Sequence, residues 1–88
     1  MVSIISQAEV LKAFPPALWS WHTSRELQRK LEELGIDSLL DEIINLVQQM
    51  RDRGLLEATF VHRDKSPVGF SARLTTRGIA EQRKFANS

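Results

Sequence analysis

The fold is decided by the stretch from Met50 to Gly78, which reads MRDRGLLEATFVHRDKSPVGFSARLTTRG. Gly54 is typical of the position just after a helix, and Thr75 and Thr76 are typical of a helix start. Between them lie two runs rich in apolar and β-branched residues, separated by a short polar segment. The stretch therefore predicts a helix end, a β-hairpin and the beginning of another helix.

The pairing inside this hairpin follows from the alternation of its residues. With the hairpin turn placed around Lys65 and Ser66, the register brings together, on one face, Leu56 with Leu74, Ala58 with Ala72 and Phe60 with Phe70. On the opposite face, the same register pairs Glu57 with Arg73 and Thr59 with Ser71. One face is apolar and the other carries an opposite-charge pair and a hydroxyl pair, which is the arrangement that cross-strand packing favours.

Length and composition indicate one ordinary globular domain. The chain has 88 residues, 42% of them hydrophobic and 26% charged, so we expect a single domain spanning residues 1–88 with one modest core. The absence of cysteine excludes a disulfide framework and a thiolate metal site. The N-terminal sequence MVSII is unlike a signal peptide, and no stretch has the length of a transmembrane helix, which predicts a cytoplasmic protein that does not enter a membrane.

The charge is distributed unevenly along the chain. Residues 1–60 contain six Lys and Arg against nine Asp and Glu, a net charge of −3. Residues 61–88 contain six Lys and Arg against two Asp and Glu, a net charge of +4. The hairpin tip and the C-terminal segment thus form a basic pole. This pole fits an anionic partner, and a mixed-charge solvated surface is the alternative interpretation.

Three helix starts share one pattern, a hydroxyl residue followed three positions later by an acid. They are Ser6 with Glu9, Thr23 with Glu26, and Ser38 with Asp41. Helices are predicted over residues 7–14, 24–34 and 39–53, and a fourth is predicted from Thr75 or Thr76 to about Phe85. The inward-facing residues are predicted to include Leu27, Leu31, Leu34, Leu39 or Leu40, Ile43, Ile44, Val47, Met50, Ile79 and Phe85.

The short segment from Leu18 to His22 is a candidate third strand beside the hairpin. An extended conformation would place Trp19 and Trp21 on the same side of this strand. Packing in the core or at the sheet edge is the expected role of both tryptophans, in preference to base stacking.

With this order of elements the chain resembles winged helix-turn-helix transcriptional regulators, most nearly the MarR and PadR groups. The resemblance extends from Thr23 to Ala80. It is carried by SRELQRKLEELG before a short Gly-containing turn, MRDRGLLE at the end of the next helix, and ARLTTRG where the second hairpin strand meets the last helix. It implies an α+β winged helix-turn-helix fold, with a three-helix core, a two- or three-stranded antiparallel wing sheet and a short C-terminal helix.

The same resemblance implies that the protein is a small transcriptional regulator that binds double-stranded DNA. Helix 39–53 would lie in the major groove, and the 61–69 wing would lie on the phosphate backbone or in the minor groove. The implied DNA-binding residues are Arg25, Arg29, Ser38, Asn45, Gln48, Gln49, Arg63, Lys65 and Ser66. The chemistry agrees, because carboxamides pair bidentately with adenine, and Arg or Lys side chains attract phosphate in a salt-dependent way.

Two features depart from this family pattern. Asp41 and Glu42 share the groove-facing side of helix 39–53, where two acids are unfavourable beside phosphates but favourable at a helix start. The wing reads Asp64-Lys65-Ser66, without the arginine that the MarR group commonly has at the third position. A homodimer formed through the terminal helices and membership in a larger protein complex are both left open.

Other classes of function are weaker on sequence grounds. The main rival is a winged-helix protein–protein interaction module in a larger assembly, which the acidic start of helix 39–53 favours. No enzyme activity is expected, since the chain has no Gly-rich phosphate loop, no cysteine nucleophile and no clustered acid pair with a plausible cleft. His22 and His62 have no metal-binding spacing, so no metal, cofactor or catalytic residue is predicted. A single small core also leaves little room for an effector pocket.

Overall fold

The computed structural model describes residues 6–15, 17–18 and 20–86. These residues form an α+β structure with four helices and one three-stranded antiparallel sheet. The elements are α1 (Gln7–Ala13), β1 (His22–Thr23), α2 (Ser24–Glu33), α3 (Leu40–Asp52), β2 (Leu56–Arg63), β3 (Ser66–Leu74) and α4 (Thr76–Ala86). The α+β class and the order of elements agree with the sequence prediction, and this order is compatible with a winged helix.

Two of the three predicted hydroxyl caps are present. The Ser6 hydroxyl accepts from the Glu9 backbone N–H at 3.3 Å, and a Glu9 carboxylate oxygen accepts from the Ser6 N–H, which completes a capping box. Thr23 caps α2 in the same way, accepting from the Glu26 N–H at 3.3 Å.

The prediction that Ser38 caps the third of these helices is wrong. Helix α3 has Leu39 in the cap position, with extended backbone and no side-chain hydrogen bond. The cause lies in α2, where the Gln28 amide donates to the Ser38 carbonyl at 3.2 Å and holds the backbone just before the helix. The helix therefore begins one residue later than predicted, and the Ser38 hydroxyl is buried without a hydrogen-bond partner.

Helices α2 and α3 end in the same way. Gly35 and Gly54 have φ values of 79° and 80°, a left-handed conformation that glycine adopts without steric cost. The next residue folds back in each case: the Ile36 N–H donates to the Leu31 carbonyl at 2.8 Å, and the Leu55 N–H donates to the Met50 carbonyl at 3.0 Å. These are Schellman motifs, and they turn the chain sharply out of each helix.

The predicted side-chain pairs of the hairpin are confirmed. Strands β2 and β3 pair Leu56 with Leu74, Glu57 with Arg73, Ala58 with Ala72, Thr59 with Ser71 and Phe60 with Phe70. The pair Glu57–Arg73 is also an ion pair, with a nitrogen–oxygen distance of 2.5 Å. The apolar face of the hairpin packs on the helices and contributes Leu56, Phe70, Ala72 and Leu74 to the core.

The predicted centre of the hairpin turn is wrong. The register shifts between Val61 and His62, and beyond this bulge Arg63 pairs with Ser66. The turn therefore consists of Asp64 and Lys65, with φ values of 51° and 68°. Positive φ at both central residues defines a type I′ turn, whose twist matches that of the paired strands.

A third strand is present beside the hairpin, but only His22 of the predicted segment 18–22 belongs to it. Strand β1 pairs His22 with Ala72 and Thr23 with Ser71, which gives the sheet order β1-β3-β2. Trp21 lies just before it, 46% exposed, with the Arg73 guanidinium carbon 5.0 Å from its ring centroid. Trp21 therefore lies at the sheet edge, and the prediction for Trp19 lies outside the described residues.

The core lies between the helices and the apolar face of the sheet. The predicted inward residues Leu27, Leu31, Ile43, Ile44, Val47 and Met50 are all buried, and Leu40 and Ile79 pack partly against them. The prediction was wrong for Leu34 and Phe85, which are 55% and 37% exposed. Of the alternatives Leu39 and Leu40, Leu40 packs against the core and Leu39 is 68% exposed. Leu34 and Leu39 lie at the two ends of the turn between α2 and α3, where the chain leaves the buried stripe.

Candidate nucleic-acid interface

Helix α3 presents a polar stripe on the side opposite the core. Asp41, Asn45 and Gln49 follow one another at intervals of four residues and are exposed, with Gln48 half-buried beside them. Within the described part of the chain, the carboxamides of Asn45 and Gln48 make no hydrogen bond. Both side chains are therefore available to a ligand that offers donors and acceptors.

Gln49 is held from the other end of the sequence. The Gln7 amide at the start of α1 donates to the Gln49 side-chain oxygen at 3.1 Å, and the Arg53 guanidinium donates to the Gln7 side-chain oxygen. This chain of contacts orients Gln49 and uses its oxygen as an acceptor. Sequence reasoning missed Gln7, because no local pattern links residues that are 42 positions apart.

Ser38 does not join the polar stripe. Its hydroxyl oxygen is buried, and its carbonyl is engaged by Gln28. In this conformation the hydroxyl is not offered to a ligand on the outer side of α3.

Arg25 and Arg29 form a cationic position on α2. Both are exposed and lie four residues apart, where they border an open depression of about 330 Å³ with Glu26 between them. The Glu26 carboxylate is engaged elsewhere, by the His22 Nδ1 at 3.1 Å and the Thr23 hydroxyl at 3.4 Å. Neither arginine has an ion-pair partner among the described residues, so both remain available to an anion.

The hairpin tip, residues Arg63 to Ser66, is the second cationic position. All four residues are exposed, and the type I′ turn holds Lys65 at the end of the hairpin. Neither Arg63 nor Lys65 makes an ion pair within the described ranges. The tip thus presents two exposed cations without an ion-pair partner among the described residues.

The acids of α3 are distributed along its exposed side. Asp41 is exposed and Glu42 is half-buried in the first turn, where a negative charge favours the helix dipole. At the other end of α3, a carboxylate oxygen of Asp52 lies 3.6 Å from a guanidinium nitrogen of Arg51. The acidic start of the helix therefore has a structural role that does not depend on any partner.

Other types of site find little support in the described residues. No group of three or more His, Cys, Asp or Glu lies close enough together to hold a metal ion there. The His22 Nε2 lies 2.9 Å from the Ser20 hydroxyl, whereas His62 is exposed on the hairpin, so the two histidines have different surroundings. None of the helices described has the length and apolar character needed to span a bilayer.

Comparison of the chain with protein-family models, with curated proteins and with solved structures finds no match.

Proposed function

We propose that this chain is a winged helix-turn-helix protein that binds duplex DNA as a small transcriptional regulator. Helix α3 enters the major groove, and the 61–69 hairpin lies along the phosphate backbone. The observation that carries the proposal is the pair of uncommitted carboxamides, Asn45 and Gln48, on the outer side of a helix that follows a short turn. Such side chains on such a helix suit the reading of base edges.

Two cationic positions support the proposal. Arg25 and Arg29 on α2 precede the turn, and Arg63 and Lys65 occupy the hairpin tip. All four side chains are exposed and lack an internal ion-pair partner in the described structure. Contacts from such groups to phosphate fix the orientation of a protein on the duplex and supply affinity for any sequence.

A protein–protein interaction module is the second candidate. Leu34 and Leu39 are 55% and 68% exposed at the turn between α2 and α3, next to the acidic residues Asp41 and Glu42. An exposed apolar pair beside acids suits a protein surface with apolar and basic groups better than it suits a phosphate backbone.

The two candidates are separated by fluorescence anisotropy with a labelled mixed-sequence duplex, titrated at several salt concentrations. If all four cations contact phosphates, the logarithm of the binding constant should fall against the logarithm of salt with a slope of about −3 to −4. Absence of binding at low salt by the folded protein would reject the DNA proposal and favour the interaction module.

A further inference from the structure

Strand β2 is an edge strand with one open side. The sheet order is β1-β3-β2, so β2 pairs with β3 on one side, and no strand of the described chain pairs with the other. The strand is eight residues long, Leu56–Arg63. Its open side is therefore long enough to accept another strand.

The hairpin turn determines which backbone groups face the open side. The pair Arg63–Ser66 flanks a two-residue turn, and such a pair exchanges hydrogen bonds across the hairpin. Because hydrogen-bonding direction alternates along an antiparallel strand, Arg63, Val61, Thr59 and Glu57 face β3. The N–H and C=O groups of Leu56, Ala58, Phe60 and His62 consequently face outward.

The central part of the open side lacks the features that usually prevent strand addition. Natural edge strands carry charges or proline, or they are very short. The central run of β2, from Ala58 to Val61, has neither a charge nor a proline, and it consists of Ala, Thr, Phe and Val. Val61 is 59% exposed. An edge of this composition favours pairing with another strand.

We propose that β2 pairs in antiparallel orientation with β2 of a second copy of this chain, with Phe60 of the two copies opposite each other on the two-fold axis. The result is a homodimer with a continuous six-stranded sheet. This inference goes beyond DNA binding and does not depend on it.

The charges of β2 select this register. A residue whose N–H and C=O groups face the open side can pair only with a residue of the same kind in the second copy. The permitted registers therefore place the two-fold axis at a residue of the strand and never between two residues. With the axis at Phe60, Glu57 lies opposite Arg63 of the second copy, and the symmetry repeats this pair. With the axis at Thr59, Glu57 lies opposite Val61. With the axis at Val61, it lies opposite Lys65, which belongs to the turn and not to the strand.

Both charged groups are available for the intermolecular pair. Arg73 is hydrogen-bonded to the Oε2 atom of Glu57, and the Oε1 atom of Glu57 accepts no hydrogen bond from the described residues. Arg63 is exposed at the end of β2 and has no internal ion pair in the same residues. Opposite charges directly across an antiparallel pair stabilise it, and like charges there destabilise it.

The pairing also satisfies the open backbone groups. The Phe60–Phe60 pair and the two Ala58–His62 pairs together supply about six main-chain hydrogen bonds. Lys65 lies beyond the last paired residue and stays exposed in the dimer.

The test is sedimentation velocity over a range of protein concentrations, with charge-reversal variants. Glu57→Arg places two arginines opposite each other, and Arg63→Glu does the same with two glutamates. Each single variant should weaken dimerisation by about tenfold or more. The double variant E57R/R63E restores opposite charges, and so does an equimolar mixture of the two single variants. Both samples should recover the dimer.

The double variant also controls for a side effect. Glu57→Arg removes the internal ion pair with Arg73, and the double variant removes it equally. Recovery of the dimer in the double variant would therefore show that the intermolecular charge pair is responsible. Circular dichroism confirms that each variant is folded.

Hydrogen exchange of the unmodified protein tests the same pairing without any substitution. The amides of Ala58, Phe60 and His62 should become protected as the protein concentration rises, whereas those facing β3 should be protected at every concentration. A folded protein that stays monomeric throughout the concentration range would overturn the proposal. A dimer that is equally stable in both single variants, or that leaves the three outward amides unprotected, would also overturn it.

Discussion

Gly78 lies directly against the backbone of Leu55. A Cβ atom added to Gly78 would overlap the Leu55 carbonyl oxygen and lie 3.1 Å from the Leu55 carbonyl carbon. Thr75 makes contacts at the same point, because its N–H donates to the Leu55 carbonyl at 3.1 Å and its hydroxyl donates to the Gly54 carbonyl at 2.7 Å. The end of α3 and the beginning of α4 are thereby joined, and the segments MRDRGLLE and ARLTTRG meet at this point.

We expect Gly78→Ala to destabilise the protein by about 2 kcal/mol or more, because the added methyl group meets fixed backbone. In an exposed helix the same change would stabilise by about 1 kcal/mol. The matched control is Ala80→Gly, at an exposed position of the same helix, with an expected loss of about 1 kcal/mol. The free energy of unfolding from urea titration checks both values, and a stabilised Gly78→Ala variant would contradict the contact.

Gln82 connects α4 to the end of α1. Its amide nitrogen donates to the carbonyls of Leu11 at 2.7 Å and Phe14 at 2.5 Å. We expect Gln82→Ala to cost about 1 to 2 kcal/mol, because two carbonyls lose their donor. Gln82→Glu should cost more, since a carboxylate faces the carbonyls with acceptors only.

Thermal unfolding with circular dichroism measures the Gln82 effects. The control is Lys84→Ala, whose side chain is 73% exposed and pairs with Glu81 only at the surface. It should change the free energy of unfolding by less than about 0.5 kcal/mol. If both Gln82 variants behave like this control, the contact between α4 and α1 contributes nothing to stability.

Lys65→Gly should stabilise the hairpin by about 0.5 to 1 kcal/mol. Lys65 has a φ of 68°, and the sequence Asp-Gly suits a type I′ turn better than Asp-Lys. Ser66→Gly is the control, because Ser66 lies next to the turn without a positive φ, so glycine brings no conformational advantage there. Urea unfolding compares the two, and equal destabilisation by both would mean that the turn does not have the type I′ conformation.

Asn45→Ala and Gln48→Ala should reduce discrimination between a selected DNA site and a mixed duplex. The expected loss is about 1 to 3 kcal/mol of preference for each side chain that pairs with a base. Thr76→Ala is the control, since Thr76 is exposed at the start of α4, outside α3 and β2, and the change should leave the preference unchanged. Competition anisotropy measures the preference, and if neither α3 variant alters it, α3 does not read the sequence.

At protein concentrations where the chain is monomeric, Arg63→Ala combined with Lys65→Ala should weaken binding to all DNA sequences alike and reduce the salt slope by about 2. Lys12→Ala combined with Lys84→Ala removes the same charge from exposed positions on α1 and α4. This control should leave the slope nearly unchanged. Equal slopes for the two double variants would place the hairpin tip outside the interface.

The sequence alone determined the structural features that depend on residues close together in the chain. The apolar and polar alternation of the hairpin gave the correct pairs from Leu56–Leu74 to Phe60–Phe70, because a shift of one residue would turn every side chain to the wrong face. The caps at Ser6 and Thr23 were predictable for a similar reason, since each depends on residues within three positions. The candidate interface was predictable to the same extent, as the outer stripe of α3 follows from helical periodicity.

The tertiary structure decided what depends on distant residues. The beginning of α3 shifted past Ser38, whose carbonyl is held by Gln28 from the preceding helix. Gln49 was oriented by Gln7 at the other end of the chain. The bulge beside Val61 moved the turn to Asp64 and Lys65, and the packing of the sheet placed β2 at an open edge. Periodicity and capping depend on residues a few positions apart in the sequence. Contacts between separate elements exist only after those elements have packed together.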